Sequence, residues 1–378
     1  MLLTGLARGL RVESLRWREG TLAARYRAFG ELCQDVASWH PSLDITVHNI
    51  TPELLIGWLE GQYLPRHQAG ARTRLADGRL VCSPSAVSSC LSHLSTAFGQ
   101  LDPPRTGEYD GQTGSGNPTQ CALVRNYRAG YLQWAKGGGF EAQAAVPLTE
   151  TKVHQLVLAL RQAYDAECAI DSSIAVALLL RDSVYFLYLW ESWQRGAEAG
   201  AIRADRVRFT DDGMEVEIGD TKANRSGFSG LLRFQRNRAD PRLCVVSGVQ
   251  RLLAVTAAHH PQGPSDPSHA SGYVFRTLTS CRRYFSDGAF SGDAAYQRLL
   301  GHLRGYRLYD GESLHSFRRG ANQHALAHGM PTAERQARGL WASPSTLRRY
   351  DRPSGKLPLS KRPRPSSPSS HVENPAAN

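Results

Sequence analysis

Gly339-Leu340-Trp341-Ala342-Ser343-Pro344-Ser345-Thr346-Leu347-Arg348-Arg349-Tyr350-Asp351-Arg352-Pro353 is the stretch against which the rest of the chain is read. Ser343-Pro344 predicts a helix start. Serine accepts a bond from an orphan backbone N–H at the cap, and proline at the first helical position loses nothing by lacking one. The short helix that follows carries Tyr350 on its last turn, and Pro353 stops it. Taken alone, a tyrosine beside Arg348 and Arg349 is an ordinary amphipathic surface residue. What singles it out is the material upstream.

The chain has 378 residues, enough for two cores, with 45 Lys+Arg against 34 Asp+Glu and a formal net charge of +11. That balance suits a polyanionic partner. Only five of the basic residues are lysines (Lys136, Lys152, Lys222, Lys356 and Lys361), so each lysine is informative. The seven cysteines are scattered without a C-x-x-C pair, which indicates neither a disulfide framework nor a thiolate zinc site and points to a reducing compartment. Residues 1–11 lack the apolar core of a secretory signal, so secretion is not expected. Residues 174–193 are apolar, but Arg181, Asp182 and Glu191 interrupt them, and each would cost ~2.5 to 3.5 kcal/mol near a bilayer centre. A buried helix of a water-facing domain, not a membrane span, is the expectation.

In the first third, apolar spacings of three and four predict four helices: one capped by Thr21, and others opened by Thr51-Pro52, Ser83-Pro84 and Asn117-Pro118. The fourth should bury Leu123, Tyr127, Tyr131 and Trp134 and turn Arg125, Arg128 and Lys136 elsewhere. Together they make a small bundle over residues 1–140, with long surface loops at 65–80 and 102–116. Residues 137–147, opening with three glycines, have linker composition and mark the domain boundary. The second domain, residues 146–355, should hold helices over 148–160 and 174–194. A β-meander follows over 206–209, 214–218 and 230–234, with Asp212-Gly213 as its hairpin signal, and then helices over 247–259, 289–303 and 314–328. Ser313 is the expected cap of the last of these, and Gly329 and Pro331 its end. The Pro/Ser-rich tail 356–378 should be disordered. The fold class is therefore mainly α with a small antiparallel β-meander.

Several weak signals lie in order along the second domain. Arg195 and Glu198 stand three apart after a buried helix, so the carboxylate can hold the guanidinium. Lys222 falls in the turn between the second and third strands, with Arg225 beside it. His315 and Arg318 share the first turn of one helix, followed by Arg319. Trp341 precedes Tyr350 by nine residues. Each has a bland reading: a helical ion pair worth ~0.3 to 0.5 kcal/mol, a solvated lysine, a core tryptophan. His324 and His328 have the spacing of a zinc pair but lack the H-E-x-x-H glutamate and a third ligand, so no metal site is expected.

The motifs WQRGAEAGAIRADRVRF (193–209), TKANRSG (221–227), LHSFRRGANQHALAHGMP (314–331) and GLWASPSTLRRYDRP (339–353) together resemble the tyrosine recombinase, or phage integrase, family. That family orders its catalytic residues as arginine, hairpin lysine, H-x-x-R, His or Trp, and tyrosine. The resemblance covers residues 146–353 and implies a DNA breaking–rejoining catalytic domain, with the N-terminal four-helix region similar to the family's core-binding domain. HSFRRG together with a tryptophan in the fifth position looks closer to recombinases of eukaryotic mobile elements. Ser316-Phe317 departs from the common Asp-Leu of the third motif, and Gln194 from the usual small residue before the first arginine.

The resemblance implies that Tyr350 is the nucleophile, that Arg195, Arg318 and Trp341 contact the scissile phosphate, that His315 bonds the phosphate or assists proton movement at Tyr350, and that Lys222 protonates the leaving 5′ oxygen. Glu198 would support Arg195, while Arg125, Arg128, Lys136, Arg225 and Arg319 are candidates for DNA contact. The chemistry fits these residue types. A free phenol with pKa near ~10 is ionised in about one molecule in a thousand at pH 7, so it needs a cationic pocket or a base. Arginine forks suit charge on a phosphorane, and an indole N–H donates without titrating. Exchanging one phosphodiester for a phosphotyrosyl ester costs little, so no cofactor is expected, consistent with the lack of a G-x-x-x-x-G-K-[ST] loop. The expected partners are double-stranded DNA and further copies of the chain, dimer to tetramer. The expected location is the nucleus if the source is eukaryotic, given the basic Lys361-Arg362 tail, and otherwise the cytoplasm. Two alternatives share these motifs: a decayed or domesticated DNA-binding protein, and a type IB topoisomerase. The recombinase-type bundle favours strand exchange over relaxation.

Overall fold

The structure, a computed structural model, describes residues 19–39, 45–68, 73–140, 145–170, 173–219, 230–261, 272–341 and 343–351. The expected hairpin positions Lys222 and Arg225, residues 1–11 and the tail 356–378 lie outside them. The chain divides into two compact units, Met1–Ala142 and Gln143–Asn378. No helix among the described residues is long and apolar enough to cross a membrane.

The first unit contains α1 (Glu19–Ser38), α2 (Pro52–Trp58), α3 (Leu64–Gln68), α4 (Pro84–Phe98) and α5 (Ala122–Gly137), with a small hairpin of β1 (Thr73–Arg74) and β2 (Leu80–Val81). Thr51 and Ser83 cap α2 and α4 as their sequences imply, accepting from the N–H of Leu54 and Ala86. α1 starts at Glu19, ahead of the expected cap. Its core joins Leu32, Val36, Leu55, Trp58, Val87, Leu91, Leu94, Phe98 and Val124.

Four expectations need correction. Asn117-Pro118 opens only a 3-10 turn, and α5 begins at Ala122. The buried stripe of α5 runs through Val124, Tyr131 and Ala135, leaving Leu123 and Trp134 at 42% and 46% exposure. The physical reason is the later start and the small Ala135, which lets the helix approach the core one residue round from the aromatic stripe. The loop at 102–116 is not merely superficial. Arg105, buried in it, donates to the carbonyls of Val47, Ile50, Gly114 and Gly116, so the loop is folded around one guanidinium. The loop expected at 65–80 contains most of α3 and the β1–β2 hairpin. The glycines after Lys136 pack on that hairpin: Gly138 O accepts from Ala76 N at 2.8 Å, and a Cβ at Gly138 would lie 2.9 Å from Leu75.

The second unit is arranged around α7 (Ile174–Ser192), which packs against α6 (Glu150–Cys168) and α9 (Val245–Ala258), and against α10 (Gly292–Gly305) and α11 (His315–Ala327). Burial on every side explains why its sequence is apolar all round. Its charged pair survives because Asp182 is fully paired. Arg181 reaches its Oδ1 at 2.7 Å, while Arg298 and His302 of α10 reach Oδ2 at 2.5 and 2.9 Å. Between α7 and α9 lie α8 (Gly196–Gly200) and a three-stranded antiparallel sheet ordered β3 (Val207–Phe209), β4 (Gly213–Ile218), β5 (Gly230–Gln235). In register, Met214 faces Phe234 and Ile218 faces Gly230.

A second hairpin, β6 (Arg276–Leu278) with β7 (Phe285–Ala289), was not legible as strand, and α10 begins only at Gly292, capped by Ser291. α12 (Thr332–Arg338) and α13 (Pro344–Asp351) complete the unit. Ser313 does not cap α11. Instead Ser316 Oγ accepts from Ser313 N at 2.8 Å, and Leu314 already has helical dihedrals.

Candidate active site

Arg318 is the centre of the site. Its guanidinium is 2% exposed and bridges two carbonyls, Trp193 O and Gly339 O. Each precedes a candidate residue in the chain. Trp193 ends α7 in the left-handed conformation (φ 57°) and turns the backbone so that Arg195 stands at the N-terminus of α8. Gly339 leads into Leu340, also left-handed (φ 50°), and then Trp341. Left-handed non-glycine residues are strained by about 1 kcal/mol or more and persist where their surroundings hold them. Here Arg318 holds both.

Around this guanidinium lie the other candidates. Its Cζ is 4.5 Å from the Trp341 ring and 5.5 Å from the Tyr350 ring, and those two rings are 5.0 Å apart. Burial draws the Arg318 pKa down to about 10; Tyr350 and Glu198 oppose that pull and Arg195 adds to it, so the guanidinium stays charged at neutral pH. Arg195 Nη1 donates to Glu198 Oε1 at 2.8 Å, and its backbone N–H to Oε2 at 3.2 Å, as the three-residue spacing implies. Arg319 is buried as well, and its pKa is lowered by burial and supported by Tyr350.

The cluster contains donors without acceptors. Arg318 Nε and Trp341 Nε1 are buried and have no partner among the described residues. A buried unsatisfied donor costs roughly 1–3 kcal/mol, so two in one cluster, beside Arg195, suit an anionic ligand with oxygens to share. His315 is exposed at the first residue of α11, one turn before Arg318. Lys222 lies outside the described residues, but the strand ends flanking its segment are near the site: a Cβ at Gly230 would lie 3.9 Å from the Leu340 side chain. Arg125, Arg128 and Lys136 are exposed on α5 of the first unit, where Arg125 is paired with Glu108 at 2.8 Å. The helix-face histidines His324 and His328 stack with ring centroids 4.1 Å apart, and no cluster of three metal-ligating side chains occurs among the described residues.

Supporting residues outside the motifs set the position of α11. Lys152, on the first turn of α6, donates to Asp310 at 2.7 Å and to the buried Glu312, in the loop just before His315. Leu148 N donates to Ser316 O at 3.1 Å, and a Cβ at Gly320 would come 1.8 Å from Leu148 O. The glycine of HSFRRG is thus where the incoming backbone crosses α11. Lys152 carried a signal in the scarcity of lysines, but its partners lie over 150 residues away and no local pattern names them.

The sequence matches no protein-family profile and no curated protein. Solved structures do match. The XerH site-specific recombinase bound to difH substrate is similar at TM-score 0.53 and 12% identity, over 88% of this chain and 76% of that one. The Tn1549 transposon integrase in complex with transposon right-end DNA gives 0.51 and 12%, over 91% and 92%. A lambda integrase dimer bound to a COC′ core site gives 0.50 and 13%, over 93% and 95%. With its mainly helical build and small antiparallel sheets, this chain has the fold of the tyrosine recombinases.

Proposed function

We propose that the protein is a site-specific DNA recombinase that cleaves and rejoins DNA through a 3′-phosphotyrosyl intermediate. The observation that carries this reading is the gathering of Arg195, Arg318, Trp341 and Tyr350, from three separate stretches, around buried donors that have no acceptor among the described residues. In the proposed reaction Tyr350 Oη attacks phosphorus as its proton passes to His315, the bond to the 5′ oxygen breaks, and Lys222 protonates that oxygen. The arginines and the Trp341 indole hold the nonbridging oxygens as charge grows on them. Attack by a 5′ hydroxyl of a second strand reverses the sequence with the new strand joined, leaving the number of phosphodiester bonds unchanged.

The likeness to DNA-bound recombinases in fold supports DNA as the substrate. The closer likeness to eukaryotic mobile-element enzymes rests on the HSFRRG and Trp341 motifs alone. Assembly of two or more copies on double-stranded DNA and the division of the chain at residues 140–146 are part of the same proposal. Exchange and relaxation are separated by a supercoiled plasmid bearing two target sites, drawn from the DNA flanking the gene. A recombinase produces deletion or inversion products; relaxed topoisomers without exchange would assign the same chemistry to a topoisomerase.

A further inference from the structure

Tyr350 is followed by Asp351, whose carboxylate is tied to residues that the reaction above does not use. Arg335 of α12, 3% exposed, donates through Nη1 to Asp351 Oδ1 at 2.6 Å and to Asn322 Oδ1 at 2.9 Å, and through Nε to Met330 O at 3.2 Å. Asn322 of α11, fully buried, donates through Nδ2 to the same Asp351 oxygen at 2.8 Å. Gln323 Nε2 donates to the backbone oxygen of Tyr350 at 3.2 Å. Three side chains from three successive helices therefore close a triangle one residue beyond the phenol.

Two features make this more than ordinary packing. α13 has eight residues and buries only Leu347, so it has little core of its own to set its angle. On α11, His315, Arg318 and Asn322 recur at spacings of three and four, so the face that presents Arg318 also grips the end of the tyrosine's helix. Charge-assisted bonds of this length are strong and directional, and a nucleophile misplaced by about 1 Å loses on the order of 100-fold in rate.

We propose that Arg335, Asn322 and Asp351 are positioning residues that clamp Tyr350 against the arginines of its own chain, so that nucleophile and arginines come from one copy. This rests on the proposed function. The test uses the full chain and a nicked duplex that traps the covalent adduct, measuring DNA affinity and single-turnover adduct rate separately. Asp351→Asn retains the accepting oxygen and should react within about 3-fold of wild type, whereas Asp351→Ala should lose about 10- to 100-fold in rate at unchanged affinity. Folding of the variants does not enter a second arm, in which Tyr350→Phe and Arg195→Ala chains are mixed. Each lacks one half of its own site, and the clamp predicts no adduct beyond that of either alone. Wild-type rates in Asp351→Ala, or adduct restored by mixing, would overturn the clamp while leaving the proposed function standing. Absence of adduct from wild type would overturn both.

Discussion

At the scale of single residues, Trp341 has two jobs that substitution can separate. Its ring packs between Trp193 and Tyr350, with centroids 6.0 and 5.0 Å away, while its indole N–H is buried without an acceptor among the described residues. Trp341→Phe keeps a ring and removes the donor. Adduct formation should fall about 100-fold, the scale for one lost transition-state donor, with DNA affinity little changed; an unaltered rate would reduce Trp341 to packing. Lys222→Ala should be rescued by a substrate with sulfur at the 5′ bridging position, because a thiolate leaves without a proton. Equal impairment on both substrates would remove Lys222 from the acid role. That Arg195, Arg318, Trp341 and Tyr350 lie close together could be anticipated because each stands within a short motif whose spacing survives in sequence, while the roles proposed for them and for His315 rest on the substitutions above. The Arg335–Asp351–Asn322 triangle could not be, since its members lie 13 to 29 residues apart on different helices, and such pairing leaves no local pattern.

At the scale of elements, helix existence was largely legible and helix rotation was not. α7 could be read as buried from its apolar run, yet nothing in it foretold that Asp182 would meet Arg298 and His302 more than a hundred residues on. α5 shows the opposite failure: periodicity found the helix, but Leu123 and Trp134, expected in its buried stripe, are exposed. The Asp182 network makes a prediction about acid stability. Burial raises the Asp182 pKa, but Arg181, His302 and Arg298 outweigh it, so the folded-state pKa lies below the ordinary value. A depressed carboxylate pKa contributes stability that is complete above the unfolded value of about 3.9 and is lost as pH falls towards the folded value. Asp182→Asn should therefore lower stability at pH 7 by about 3–5 kcal/mol, as expected for a buried charge left unpaired, and flatten the fall in stability below pH of about 4. Urea unfolding at pH 7 and at acid pH measures both, and an unchanged acid slope would contradict the assignment.

At the scale of the whole molecule, a chain of net charge +11 in two units is proposed to hold a duplex from both. Phosphate contacts release counterions, so log affinity should fall with log salt with a slope near ~−0.9 per phosphate neutralised. Residues 1–140 and 146–378 expressed separately should each show a shallower slope than the full chain. A catalytic unit that equalled the full protein in affinity and slope would reassign the N-terminal bundle to protein contacts.

The claim on which all of this depends is that Tyr350 forms a covalent bond with DNA. Full-length protein incubated with a nicked suicide duplex, then digested and mapped by mass spectrometry, should carry a 3′-phosphonucleotide on the peptide containing Tyr350, and Tyr350→Phe should bind DNA equally and carry none. A nucleotide on Tyr306 or Tyr309, an undiminished adduct in Tyr350→Phe, or no adduct on any tyrosine would contradict the account.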